Sequence, residues 1–267
     1  MRPRQGNDRW PLHPARPPRQ AEAAGRGILL LAIFLFLLSV FLFLAKGSHA
    51  APNALTLDAL QGETMTYDIK KIAIKAGQAS LQFQGTMKID DQDVILIVFT
   101  ANALNFYDQE KIYLNKETFF PVMVQRDLNI WGKKEKIIER YDTKTGRLQI
   151  VKQAEGKTTK HVIEGKESLD NLYGFIYRYR FQGRFKPGET LVMRLPTQNV
   201  SLKVVGDKPL DVGGKIVDCL YMESDPPKYR VWFDKEDKKV PLRIDGAVGF
   251  GKTAMIMREY KKGAKSF

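Results

Sequence analysis

Cysteine occurs once in the 267 residues, at Cys219, so no disulfide can form within the chain. In an oxidising compartment a lone thiol is either buried or reactive. The neighbours in Val217-Asp218-Cys219-Leu220-Tyr221 favour a buried thiol that behaves as a small hydrophobe. Histidine is nearly as scarce. Of three, His13 and His49 precede residue 51, and only His161 follows it. That leaves almost no raw material for a multi-histidine zinc site or a histidine-dependent triad. Negative charge is also in short supply, with 30 Asp and Glu against 43 Lys and Arg, a net of +13.

Charge is missing altogether from Ile28 to Ala45, ILLLAIFLFLLSVFLFLA, whose one hydroxyl is Ser39. Eighteen residues at ~1.5 Å each make a helix of roughly 27 Å, close to the ~30 Å of a bilayer's hydrocarbon. Residues 1–26 before it carry six arginines against Asp8 and Glu22. The positive-inside rule therefore keeps this basic leader in the cytoplasm and sends residues 51–267 across. Ser48-His49-Ala50 offers small residues where a signal peptidase reads. Two outcomes stay open: a soluble periplasmic protein after cleavage near Ala50, or one anchored in the inner membrane by residues 28–45. No cysteine ends the run, which closes the bacterial lipoprotein route. The Arg16-Pro17-Pro18-Arg19 stretch is a topology determinant rather than a nucleic-acid arm.

The two domains so defined are 1–50, signal peptide or anchor, and 51–267, the exported part. The first holds seven Lys or Arg and two Asp or Glu, leaving 36 against 28 in the second, a net of +8. The exported charge is dispersed, which suits anionic lipid head groups or acidic polymers better than a nucleic-acid groove. A plain solvated surface is the commoner meaning of such a balance, and the favoured one here.

Beyond a polar lead-in at 51–62, alternation dominates. Ala79, Leu81 and Phe83 mark a half-buried strand, with a bend or bulge at Ala76-Gly77. Asp90-Asp91-Gln92-Asp93 lacks the glycine and terminal glutamate of a calcium loop and is a hairpin turn. Val94 to Phe99 is apolar on both faces and belongs to the middle of a core. Further short strands follow at about ten-residue spacing, the rhythm of an antiparallel meander. One helix stands out, opening at Ser168 or Asp170 and carrying Leu172, Tyr173, Ile176 and Tyr179 on one face. Within it, Tyr177-Arg178-Tyr179-Arg180-Phe181 interleaves aromatics with arginines, as single-strand-binding surfaces do. The favoured meaning is a helix with aromatics inward and arginines outward. After it come strands again, with a turn at Asp211-Val212-Gly213-Gly214 and one strand from Lys215 to Met222.

Tyr113-Leu114-Asn115-Lys116-Glu117, leading to Pro121, resembles Trp232-Phe233-Asp234-Lys235-Glu236, leading to Pro241. Proline is tolerated at a strand's first position, where no ladder N–H is lost. The repeat suggests two related halves, with convergence of hairpin chemistry as the alternative.

Gly246-Ala247-Val248-Gly249-Phe250-Gly251-Lys252-Thr253 satisfies G-x-x-x-x-G-K-[ST]. A phosphate loop needs a buried parallel strand before it and a helix after it. Pro241 in the preceding segment and the absence of a βαβ rhythm remove that context, so a glycine-rich hairpin connection is expected, with no nucleotide bound.

Gly62 to Asp68 with Ile74-Lys75-Ala76-Gly77, the Tyr113–Pro121 turn, Phe185 to Glu189, Gly213 to Cys219, and Val231 to Ile244 occur in the order of a bacterial envelope family called domain of unknown function 3108, which the exported part resembles over nearly all of 60–260. Lys70-Lys71 and Asp225-Pro226-Pro227 depart from that family's usual pattern. The resemblance implies a secreted, strand-rich domain and carries over no catalytic or ligand residue. The proline-led hairpins are more loosely similar to periplasmic lipoprotein carriers, whose curved sheet half-encloses a lipid.

The expected fold is mainly β: an antiparallel meander forming a strongly curved sheet or open barrel-like half-shell from two related halves, with one helix near 168–182 and an N-terminal hydrophobic helix. No catalytic, cofactor-binding or metal-binding residue is assigned. Three functions compete. The leading one is a non-enzymatic envelope protein binding an apolar ligand or envelope component, with lipid or another envelope protein as partner and no nucleic acid. The next is a membrane-tethered structural or partner-binding module. The last is an envelope polymer hydrolase, for which Asp90, Asp91, Asp93, Glu164 and Glu167 offer carboxylates only in turns, without the apolar or paired setting catalysis needs.

Overall fold

Met65, Tyr67 and Ile69 alternate with polar neighbours, and the period of two makes Thr64–Lys71 the first strand, β1. The computed structural model describes residues 55–72, 74–236, 239–248 and 253–263. Seven more strands follow in sequence: β2 (Ile74–Ile89), β3 (Gln92–Ala103), β4 (Phe106–Asn115), β5 (Pro121–Ile130), β6 (Lys133–Asp142), β7 (Arg147–Ala154) and β8 (Lys157–Ile163). After the helix described below come β9 (Thr190–Leu195), β10 (Gln198–Asp207), β11 (Leu210–Val212), β12 (Lys215–Val217), β13 (Cys219–Asp225), β14 (Arg230–Asp234), β15 (Pro241–Asp245) and β16 (Thr253–Lys261).

Fourteen strands form one sheet in the order β8-β7-β6-β5-β4-β3-β2-β1-β16-β15-β14-β13-β10-β9. Its pairings are antiparallel, and β1–β16 joins the first and last strands in its middle. The sheet is not closed; β8 and β9 are its edges. β11 and β12 pair as a separate hairpin. Pro52–Phe267 is one compact unit. All strands of the large sheet find their hydrogen-bonding partners within this unit, as expected of a part that can fold by itself. Among the described residues no helix is long and apolar enough to cross a membrane. The basic leader, the Ile28–Ala45 run with its expected helix, and the Ser48-His49-Ala50 step lie outside them.

Two helices are present among the described residues. α1 (Leu57–Leu60) is a single turn inside the expected polar lead-in, with Leu60 buried. α2 (Leu172–Gln182) is the expected long one. Its cap is Asn171, not Ser168 or Asp170. The Asn171 Oδ1 accepts from the N–H groups of Tyr173 and Gly174 at 2.9 and 3.3 Å. Ser168 instead donates to the Thr143 carbonyl, and the Asp170 carboxylate accepts from the Arg194 N–H.

The sheet curves around the helix. Tyr173 stacks on Phe99 of β3, while Tyr177 meets Phe83 of β2 and Tyr179 meets Phe233 of β14 with tilted rings, the centroids lying 4.1, 5.4 and 5.8 Å apart. Gly174 lies against Leu114 of β4. In a flat sheet β4 and β14, six steps apart, would be about 29 Å from each other, at ~4.8 Å per step. A helix with its side chains is only ~10–12 Å across. Strands that distant touch one helix only because the sheet wraps around it. The concave side is thus filled by α2, which is buried almost all round.

Other expectations meet the structure as follows. The bulge falls at Ala76: Ile69 faces Gly77, while Lys70 faces Lys75. Gly77 is required there, since a Cβ would lie 2.3 Å from the Asn102 carbonyl oxygen. Asp90 and Asp91, at φ 47° and 62°, form the two-residue turn of the β2–β3 hairpin. The expected turn at 211–214 begins inside β11, and the expected Lys215–Met222 strand is broken at Asp218 into β12 and β13, which belong to different sheets. β8 had no counterpart in the sequence pattern. Exposed along almost its whole length, it has no apolar face to betray it.

The two similar turns share their geometry. Asn115 N–H donates to the Phe120 carbonyl and Asp234 N–H to the Val240 carbonyl, both at 2.9 Å. Phe119 and Lys239, each two residues before the proline, have φ 59° and 47°. A register shift follows in both hairpins.

Candidate binding cleft

Inward-facing Met65, Tyr67, Ile69, Thr253, Met255 and Met257 leave their neighbours on the convex face. The registers then set two cross-strand rows there. One runs Lys70, Ala254, Asp245, Arg230 and the next Asp68, Ile256, Arg243, Trp232, Tyr221. Small and aliphatic residues in the centre, Ala254 and Ile256, make a floor between cationic walls. The result is a cleft of about 820 Å³, completed by Ile72 and by Pro227 and Lys228 of the β13–β14 turn. Asp245 is its one acidic lining residue. It is already engaged, accepting from Arg243 Nε and Nη2 at 2.7 and 3.1 Å. Arg243 also lies 4.8 Å over the Trp232 ring, which fixes it from a second side. Lys70, Lys228 and Arg230 supply the cleft's remaining charge.

Beside the cleft, the β11–β12 hairpin covers a second apolar cluster on the convex face: Leu210, Cys219, Tyr221 and Trp232. Cys219 is fully buried, and burial pushes its thiol up to about 11. The expected inert, hydrophobe-like cysteine is what the structure holds.

The concave side has chemistry of its own, directed at α2. Arg180 is buried and Arg178 half-buried, against the expectation that both face outward. Arg180 donates from Nη1 and Nη2 to the two oxygens of Glu63, at 2.7 and 2.9 Å. Tyr260 and Tyr177 O–H donate to the same carboxylate at 2.8 and 3.3 Å. Burial alone would lower the Arg180 pKa; the Glu63 hydrogen bonds and charge more than offset it. Arg178 pairs with Asp170 at 2.7 Å and lies 4.0 Å over the Phe120 ring. With both guanidiniums paired to carboxylates of the protein, the aromatic–arginine stretch presents no platform for bases.

At the helix start, Arg126 holds Asp108 through two bonds of 2.7 and 2.6 Å and reaches Glu110 at 3.5 Å. Asn171 Nδ2 donates to Glu110 at 3.0 Å, tying the cap to β4. Burial pushes Glu110 up to about 7, against the lowering effect of Arg126. This is a buried carboxylate pair, but it lies under α2 and is engaged by Arg126 and Asn171. The turn carboxylates stay apart: Glu164 pairs with Arg147, Glu167 with Arg194, and Asp90 and Asp91 sit at a hairpin tip.

Of the phosphate-loop motif, Gly249–Lys252 lie outside the described residues. Thr253 opens strand β16 rather than a helix, and its hydroxyl donates to the Val248 carbonyl at 3.1 Å. A phosphate loop has its Ser/Thr at a helix start, a requirement that Thr253 does not meet.

The convex cleft went unseen in sequence because its cations come from three strands and a turn, and only the register collects them. The helix clamp was signalled by arginines embedded in an aromatic run, a pattern open to the opposite reading.

These features belong to a known class. The sequence model described as Protein of unknown function (DUF3108) matches residues 64–258. The chain is a member of that family, as the motif order implied. It matches no curated protein sequence. Among solved structures it is similar to a β-barrel-like protein of domain of unknown function DUF1849 from Brucella abortus, at 8% identity and TM-score 0.46, covering 77% of this chain and 99% of that one. A second, a candidate lipoprotein from Parabacteroides distasonis, aligns at 9% identity and TM-score 0.25, over 76% and 96%.

Proposed function

We propose that this chain is a non-enzymatic binding protein of the bacterial envelope, exported by the Ile28–Ala45 run, whose convex cleft takes an anionic, partly apolar envelope component. The observation that carries this is the cleft itself: Lys70, Lys228 and Arg230 around a floor of Ala254 and Ile256. Cationic walls suit a phosphate or carboxylate, and the floor suits the apolar part attached to it. The concave side, where a half-shell would hold an acyl chain, is occupied by α2. Nucleotides and nucleic acids stay outside this reading, which is supported by Thr253 starting a strand and by Arg180 being enclosed against Glu63. Catalysis is not part of the reading, because the buried Asp108–Glu110 pair serves the helix clamp.

Native mass spectrometry of Pro52–Phe267 with lysophosphatidylglycerol, and with lysophosphatidylcholine for comparison, tests it. One anionic lipid should bind, more tightly than the zwitterionic one. Lys70→Glu with Arg230→Glu, or Ala254→Trp on the floor, should abolish that preference. Equal binding of both lipids, or none, would overturn the assignment.

A further inference from the structure

Five large hydrophobic side chains among the described residues are more than 70% exposed: Ile72, Ile74, Leu104, Trp131 and Ile216. Four of them share one rim of the sheet. β1, β3 and β5 end at that rim, and β2, β4 and β6 start from it. Ile72 and Ile74 flank the β1–β2 tip, Leu104 forms the β3–β4 tip and Trp131 the β5–β6 tip. The last two are adjacent, since Trp131 N–H donates to the Asn105 carbonyl at 2.8 Å.

Turn chemistry does not ask for these residues. Hairpin tips normally take Asn, Asp or Gly, which reach positive φ cheaply. Ile72 and Trp131 hold φ 49° and 54°, a region bulky side chains rarely enter. Such conformations cluster where a surface has a task. Behind the tips stand cations: Lys71 at the first, with Lys75 already paired to Asp68 at 2.8 Å, and Lys133 and Lys134 directly after Trp131-Gly132. The opposite rim is built differently. Its turns are Asp90-Asp91, Lys116-Glu117-Thr118 and Thr143 to Gly146, with no such apolar tip.

Separate apolar prongs with lysines just behind them match a layered partner: a charged surface with an oily interior. Tryptophan favours that boundary, and lysine stems can lie along it with their heads at phosphate level. We propose that this rim docks on an anionic lipid bilayer, Leu104 and Trp131 entering the head-group layer beside the Ile72–Ile74 prong while the lysines meet lipid phosphates. Ile72 borders both the rim and the convex cleft, but Leu104 and Trp131 line only the rim, so the inference does not depend on the cleft's ligand.

The buried, weakly acidic Cys219 makes the test clean, because a cysteine at position 104 becomes the one reactive thiol of Pro52–Phe267. Leu104→Cys, labelled with an environment-sensitive dye, is mixed with vesicles of phosphatidylethanolamine plus phosphatidylglycerol, or of phosphatidylcholine alone. The dye should shift to the blue on the anionic vesicles only, and the shift should fade as salt is raised. Unlabelled protein should co-sediment with the same vesicles. Leu104→Ser with Trp131→Ser should cut that partitioning by ~10-fold or more, the loss expected from two withdrawn apolar side chains. Its melting curve should not change, since both residues are exposed. Ala254→Trp, which blocks the cleft, should leave vesicle binding intact, so the two assignments fail separately. No dye shift on anionic vesicles, or equal partitioning of the double serine variant, would overturn the proposal. So would a dimer that disappears in that variant without any vesicle binding, which would assign the rim to a second copy.

Discussion

Arg180 and Glu63 face each other with neither side chain exposed to solvent, one on the central helix and the other just before the first strand. The carboxylate receives four donors, two from Arg180 and one each from Tyr177 and Tyr260, which matches its lone-pair capacity. A buried pair so completely satisfied is costly to break from one side. Glu63→Gln or Arg180→Met should each cost about 3–5 kcal/mol in denaturant unfolding. Glu63→Gln combined with Arg180→Met should lose less than the sum of the two single changes, since no charge is left stranded. Additive losses would show that the two residues act independently.

A second expectation concerns the bulge. Gly77→Ala places a Cβ 2.3 Å from the Asn102 carbonyl oxygen and 2.7 Å from the Ala103 Cβ. Neither backbone nor Cβ can swing away, so β2 must separate locally from β3. The expected loss is ~1–3 kcal/mol, read as a lower denaturant midpoint.

The pH dependence of stability should run opposite to acid denaturation over part of its range. Burial pushes Glu110 up to about 7 and Asp234 up to about 6, and it also raises Glu139 and Asp170. A carboxyl whose pKa is higher folded than unfolded binds more protons in the native state, so stability falls as pH rises between the two values. For Glu110 that window runs from 4.5 to about 7, and for Asp234 from 3.8 to about 6. The Tm should therefore decline from pH 5 to pH 8. Glu110→Gln, which can still accept from Asn171, should flatten part of that decline. An unchanged slope would place the titration elsewhere.

Cys219 should resist a thiol reagent at pH 8 in the folded protein and react at once in denaturant. Its full burial and its pKa near 11 both withhold the thiolate. Rapid labelling of the native state would mean that the β11–β12 cover opens readily.

What the sequence revealed, it revealed through periodicity. The period of two in β1 to β3, the Asp90-Asp91 turn, the bulge at Ala76-Gly77 and the buried Cys219 follow from local patterns, each deciding its own structure. The paired turns before Pro121 and Pro241 were legible for the same reason. Long-range partners were not. Arg178 and Arg180 looked like a solvated helix face because Asp170 and Glu63, which neutralise them, are eight and 117 residues away. β8 was invisible because an edge strand with both faces wet carries no alternation. The cleft stayed hidden because Lys70, Arg230 and Ala254 become neighbours only when the last strand pairs with the first.

That last pairing bears on how the protein is made. β16 is an interior strand, bounded by β1 on one side and β15 on the other, yet it follows every other strand of the sheet in the chain. Until it is in place, the two arms of the meander share no seam, and the sheet remains in two pieces. The sheet is therefore complete only once its last strand has joined its first.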